Sequence, residues 1–173
     1  MKPGKELRHL LDGLNPDEKS EGFHLFSFNV YCQDNAEEVL RNCQEVLEII
    51  LRQCAKKTWL SKIEWYQILP DWFVSNCAPE KSIQEEEENN PRLQTLSVEE
   101  RLIELQNEAW SVMDFVSWFE TDENGSDERY WYWWDGFIQS PKLLVVSVEI
   151  IDFPFPSGCL LWLFKASGAI KVE

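Results

Sequence analysis

Hydrophobic and polar positions alternate near the start of the chain, and the period changes further along. In residues 23–32, FHLFSFNVYC, the residues Phe26, Phe28, Val30 and Cys32 alternate with mostly polar ones. A period of two with aromatic and branched side chains is typical of a strand with one buried face. The pattern therefore predicts a first strand whose buried face carries these four residues.

Three regions with helical periodicity follow this strand. Apolar positions recur at alternating spacings of four and three in residues 36–54, which predicts a long amphipathic helix. Residues 61–77 begin with the serine–glutamate spacing of a capping box and contain Pro70, where we expect the helix to break. Residues 97–119 begin with the same spacing and carry an uninterrupted apolar stripe, which predicts a third helix.

The C-terminal part of the chain returns to short apolar runs. Residues 129–139, 142–151 and 158–166 are rich in aromatic and branched side chains, and prolines lie between them. We interpret them as three strands of an antiparallel meander. The sequence thus predicts an α+β fold of order β-α-α-α-β-β-β, with a mostly antiparallel four-stranded sheet and helices packed on one face.

The predicted domain organisation is simple. Residues 1–22 form an N-terminal arm whose leucines favour a short docking helix, and residues 23–173 form a single α+β domain. The segment at about 78–97 carries four consecutive glutamates and few large apolar residues. Because its like charges repel and it has little to bury, we expect an acidic mobile loop.

The aromatic run RYWYWWDGF raises the question of what covers the sheet. As a strand, it places Tyr130, Tyr132 and Trp134 on one face and Trp131 and Trp133 on the other. Each aromatic side chain can bury about 150–250 Å², and the predicted helices cover one face only. The second face would be covered by the N-terminal arm or the acidic loop, by a second copy of the chain, or by another partner or an apolar ligand. The sequence leaves these alternatives open.

The net charge of −15 is concentrated in one part of the chain. Residues 78–128 hold 15 acidic and 3 basic residues, whereas residues 129–173 hold 4 of each. Nucleic-acid backbones and anionic membranes need a basic surface, so we expect neither as a partner. No apolar run approaches the roughly 20 residues that cross a bilayer.

An acidic ladder lies on the predicted third helix, where Glu100, Glu104 and Glu108 recur every four residues. Like charges at this spacing cost about 0.2–0.5 kcal/mol per pair, which a solvated helix face tolerates. The alternative is an acidic patch that meets a basic partner and accelerates their encounter.

Motifs for catalysis or cofactor binding do not occur. The chain has two histidines, His9 and His24, and it lacks a phosphate-binding loop, a dinucleotide fingerprint and zinc-binding spacings. We therefore expect no cofactor and no metal site, and an enzyme is not favoured. The five cysteines are odd in number and lie in apolar settings, which, with no signal-peptide pattern, favours reduced thiols in a cytoplasmic protein.

The sequence therefore favours a non-catalytic cytoplasmic protein-binding module, most concretely an acidic inhibitor or immunity-type protein that neutralises a basic partner. Two alternatives stay open: a small-molecule-binding or enzymatic α+β domain of unknown substrate, and a homodimeric structural protein. The predicted partner-binding residues combine charge with aromatic anchors: Glu100, Glu104, Glu108, Asp114, Trp118, Trp131 and Trp133. A pocket between the sheet and the second helical region would instead be lined by Trp65, Tyr66 and Trp72.

Overall fold

The computed structural model describes residues 3–15, 17–20, 24–56, 59–81, 95, 97, 109–121 and 129–173. Within these residues the helices are α1 (Pro3–Asp12), α2 (Ala36–Cys54), α3 (Lys62–Ile68), α4 (Asp71–Asn76), α5 (Val112–Ser117) and α6 (Gly158–Ala166). The strands are β1 (His24–Tyr31), β2 (Trp131–Ser140), β3 (Leu143–Ile150) and β4 (Lys171–Val172). The predicted α+β class and its antiparallel four-stranded sheet are confirmed.

The sheet has the strand order β2-β3-β1-β4, and every pairing is antiparallel. Its core face carries the predicted residues of β1 together with Leu144, Val146, Val148 and Ile150 of β3. The apolar stripe of α2 and the buried side of α6 belong to the same core. At Gly136 of β2, an added Cβ would lie 2.9 Å from a methyl of Leu40 on α2, so the close approach of helix and strand requires glycine there.

The second helical region has the predicted break. Ser61 donates its backbone N–H to the Glu64 carboxylate at 2.8 Å, which is half of the expected capping box. The helix α3 ends before Pro70, and α4 begins directly after it. Leu69 is extended with ψ of 148°, as expected for a residue that precedes proline.

The segment GCLLWLFKA, predicted as a strand, is helix α6, so that prediction was wrong. Its buried residues Cys159, Leu160, Leu163 and Phe164 recur with helical spacing. The fourth strand instead comes from residues 171–172, which pair with β1. The C-terminal strands therefore do not form a meander, because a helix separates β3 from β4; apart from this helix, the order of strands and helical regions is as predicted.

The predicted third helix does not run uninterrupted to residue 119. Residues 109–111 are not helical, and Ser111 is the N-cap of α5, accepting from the Asp114 backbone N–H at 3.1 Å. The Trp110 carbonyl accepts from the Ala78 N–H at 2.9 Å, so this segment is extended and pairs with the chain after α4. Residues 98–108 of the predicted helix and residues 82–94 of the predicted acidic loop lie outside the described residues.

Helix α1 covers the outer edge of β2. The Glu6 carboxylate accepts from the Trp133 backbone N–H at 2.7 Å and forms a buried ion pair with Arg129. The His9 ring lies edge-on to Trp134, with centroids 4.7 Å apart. Because the Glu6 side chain satisfies the Trp133 N–H, α1 shields the first half of β2 from pairing with other strands, whereas residues 137–140 are exposed.

A carboxylate clamp holds α1 to the segment that follows it. Glu18 accepts from the Arg8 guanidinium at 2.7 and 2.8 Å, and it also contacts His9 at 2.9 Å and Lys5 at 3.3 Å. The hydrogen bonds from Arg8, followed by those from His9, lower the pKa of Glu18 to about 2.

The N-terminal segment covers only part of the outer face, which is the face that carries Leu25, Ser27 and Asn29. Ser20 donates to Glu149 on this face at 2.8 Å, and Glu149 is buried. Towards the other end, Ser27, Asn29 and Phe137 are exposed. The arm therefore accounts for one end of the second face.

Candidate partner-binding surface

Two of the predicted partner-binding residues lie at α5: Asp114 is in its first turn, and Trp118 is its C-cap residue. They are four residues apart, which places their side chains next to each other on a helix surface. Asp114 is exposed and Trp118 is half-buried. Glu120, two residues after Trp118, is also exposed. In the sequence, exposed carboxylates therefore lie on both sides of this tryptophan.

Trp118 is the middle of a row of three aromatic side chains, Trp110, Trp118 and Tyr130, which we call the aromatic ridge. Its ring centroid is 6.1 Å from that of Trp110 and 6.4 Å from that of Tyr130. Tyr130 is 51% exposed. The ridge therefore offers aromatic surface to solvent beside Asp114.

The fold fixes the ridge from behind. Trp110 is held by its carbonyl, through the bond from Ala78, and its ring packs on Gly158 at the start of α6. An added Cβ at Gly158 would lie 3.2 Å from this ring. Because these contacts hold the Trp110 ring, this end of the ridge need not be ordered on binding.

The aromatic ridge and its carboxylates match the chemistry of lysine and arginine side chains. Aromatic faces attract ammonium and guanidinium groups, and carboxylates accept their hydrogen bonds. In the sequence, the acidic run 122–128 follows this region directly. Glu100, Glu104 and Glu108, and residues 122–128, lie outside the described residues.

The predicted anchors Trp131 and Trp133 lie in the core, with 0% and 1% of their surfaces exposed. Trp131 packs edge-on against Phe119 with centroids 5.8 Å apart. Neither side chain can reach a partner while β2 stays in the sheet. Tyr130 and Phe137, at the two ends of the run, are its exposed aromatics, and Tyr130 is the one that lies beside Trp118.

The three residues of the alternative pocket have separate surroundings. Trp65 is fully buried and its ring lies 5.0 Å from that of Trp59. The Tyr66 hydroxyl donates to Glu80 at 2.8 Å, and burial, followed by this hydrogen bond, raises the pKa of Tyr66 to about 12. Trp72 lines a separate cleft, which is bordered by α2.

This cleft, of about 450 Å³, lies between α2, α4 and the C-terminal end of α6. Trp72 lines it, with its indole N–H donating to Glu45 at 3.0 Å. Asn42 and Asn76 donate to the Ser167 and Ala166 carbonyls at 3.2 and 3.1 Å, so their amides cap the end of α6. The sequence did not reveal this cleft, because its lining comes from separate elements that only the fold brings together.

Other chemically relevant groups are few among the described residues. All five cysteines are free thiols, and burial raises the pKa of Cys43 to about 12 and that of Cys77 to about 11. In the described ranges, no group of three or more His, Cys, Asp or Glu residues is placed to hold a metal ion. None of the helices in that part of the chain is long and apolar enough to cross a membrane.

Comparison with known proteins gives no relative: the chain matches no protein-family model, and neither a curated protein nor a solved structure is significantly similar to it.

Proposed function

We propose that this protein is a non-catalytic protein-binding module that neutralises a basic partner, as an acidic inhibitor or immunity-type protein does. The observation that carries the proposal is the aromatic ridge with exposed Asp114 beside it, in the part of the chain with 15 acidic and 3 basic residues. The charge attracts and orients a basic partner, and the ridge anchors it.

The two contributions act at different stages of binding. Concentrated acidic charge accelerates the encounter and makes it sensitive to salt, because exposed charges are screened within about 8 Å at physiological ionic strength. Tyrosine and tryptophan are enriched among the residues that dominate binding energy. The half-exposed ring of Tyr130 fits the second role.

A pull-down at low salt from cells of the source organism tests this proposal. The wild type should retain a basic protein that Asp114→Lys and Tyr130→Ala lose. Glu37→Lys, at an exposed site on α2, matches the charge change. Phe137→Ala removes an aromatic ring of matching exposure, 50% against 51% for Tyr130. Both controls should keep the partner. If all four variants retain the same proteins as the wild type, the ridge is not the binding surface and the proposal fails.

The cleft supports a second candidate function, the binding of a small cationic molecule. Glu38 and Glu45 line it against a single cation, Arg41, and Trp72 offers an aromatic face. Its volume of about 450 Å³ lies within the range of small-ligand sites. Calorimetry with spermidine and arginine tests this: binding that Trp72→Ala abolishes supports it, and no heat at millimolar concentration contradicts it.

A further inference from the structure

Among the described residues, no strand lies beside the first part of the outer edge of β1. Strand β4 pairs only with Val30 and Tyr31, and Asn29 exchanges both backbone hydrogen bonds with Glu173, at 2.8 and 3.0 Å. In an antiparallel ladder, alternate residues direct their N–H and C=O to the same side. Leu25 and Ser27 therefore direct theirs outwards, as Asn29 does, and neither has a backbone partner among the described residues.

This open edge lacks the features that usually protect a strand. The first half of the β2 edge is covered by α1, and edge strands elsewhere carry lysine or proline. Residues 24–28 contain neither, and Leu25 is 50% exposed. Beside them, Phe153 is 65% exposed and its ring stacks on Phe26 at 5.8 Å. The open edge is thus both unpaired and apolar.

We propose that a second copy of this chain pairs antiparallel with β1 along this edge and extends the sheet across a two-fold axis. With the axis at Phe26, Leu25 lies opposite Ser27 of the second copy and Ser27 opposite its Leu25. Two reciprocal pairs of this kind make four backbone hydrogen bonds. The pairing stops after Ser27, since the outward groups of Asn29 are already bonded to Glu173.

The charge at the edge favours a second copy over a basic segment as its occupant. Within residues 24–28, His24 is the only ionisable residue, so this part of the strand carries no carboxylate of its own for a basic strand, and Glu173 lies only at its far end, beside Asn29. The acidic excess lies instead in residues 78–128. A neutral edge complements an identical neutral edge, and the exposed parts of Leu25 and Phe153 from both copies add apolar surface.

Sedimentation or light scattering over a concentration series, from micromolar to near-millimolar, tests the proposal. The wild type should dimerise, and more strongly at higher salt, because salt screens the repulsion between two chains of charge −15. Ser27→Pro should weaken the dimer at least about tenfold, because it removes the Ser27 donor in each copy and so two of the four bonds. The fold should tolerate this proline, since the N–H it replaces points away from β3.

Two further variants keep the test decisive. Leu25→Lys places a charge on the edge without changing the backbone and should also give a monomer, even if Ser27→Pro fails to fold. Phe137→Ala, on β2 at the other side of the sheet, should leave the dimer intact. A wild type that stays monomeric throughout the series overturns the proposal. So does a dimer that Ser27→Pro and Leu25→Lys leave unchanged, since its interface would lie elsewhere.

Discussion

Replacing Glu6 by glutamine tests whether the buried ion pair with Arg129 holds the N-terminal helix to the sheet. Both side chains are buried, with 0% and 2% of their surfaces exposed. The guanidinium also lies 4.8 Å from the Tyr132 ring and 4.9 Å from the Phe119 ring. Glutamine keeps the size of the side chain and an oxygen that can accept from Trp133, so the substitution removes mainly the charge.

The expected cost is large because the remaining charge stays buried. Removing one partner of a buried ion pair typically destabilises a protein by about 3–5 kcal/mol, whereas domains of this size are stable by only about 5–15 kcal/mol. We therefore expect Glu6→Gln to lower the free energy of unfolding by about 3 kcal/mol or more. Adding Arg129→Met should recover part of this loss, since both buried charges are then gone.

Urea denaturation followed by tryptophan fluorescence measures these differences. The matched control is Glu48→Gln, which breaks the exposed ion pair with Arg52 on α2, where 34% and 54% of the side-chain surfaces are exposed. Surface pairs at this spacing contribute about 0.3–0.5 kcal/mol. If Glu6→Gln costs no more than this control, the ion pair does not hold α1, and the reasoning is refuted.

Three further predictions concern the clamp, the sheet and the thiols. The pKa of Glu18 is lowered from 4.5 to about 2, so the contribution of this carboxylate to stability is present above pH 4.5 and is lost as the pH falls towards 2. The difference in unfolding free energy between the wild type and Glu18→Gln should therefore shrink over this interval. A difference that stays constant would contradict the assignment. Gly136→Ala should destabilise by about 1–3 kcal/mol, because its Cβ would lie 2.8 Å from the buried Trp133 ring. Gly4→Ala, with no atom within 4 Å, should be neutral or slightly stabilising in the same denaturation assay, and equal effects of the two changes would refute the steric argument. Burial raises the pKa of Cys43 to about 12, so a thiol reagent should modify it only after unfolding, and fast modification of the native protein would count against the buried position.

Local patterns predicted the elements whose chemistry is local. The two-residue alternation identified β1 and its buried face, and the capping-box spacing with Pro70 identified the start and the break of the second helical region. The segment 158–166 was assigned wrongly because it is apolar on nearly all sides. A short run of this kind fits a buried strand as well as a buried helix, and only its packing in the core decides between them.

The sequence predicted the candidate site only in part, because exposure there also depends on packing between separate elements. Charge and helical spacing pointed to Asp114 and Trp118; Trp118 is the middle residue of the aromatic ridge, and Asp114 precedes it by four residues. Alternation divided the aromatic run into two faces, but it could not reveal the register shift between Trp133 and Asp135 or the docking of α1. Together these bury residues 131–134 and leave the rings at the two ends of the run, Tyr130 and Phe137, exposed.

The affinity of the purified complex with the partner found by pull-down tests the central claim most directly. We expect Asp114→Lys to weaken binding about tenfold or more at low salt, and by less at high salt, because the lost attraction is electrostatic. Glu37→Lys changes the net charge equally but lies on α2, and it should alter the dissociation constant only slightly. Equal effects of the two substitutions would mean that charge acts without a defined surface, and this would contradict the assignment of the aromatic ridge as the binding site.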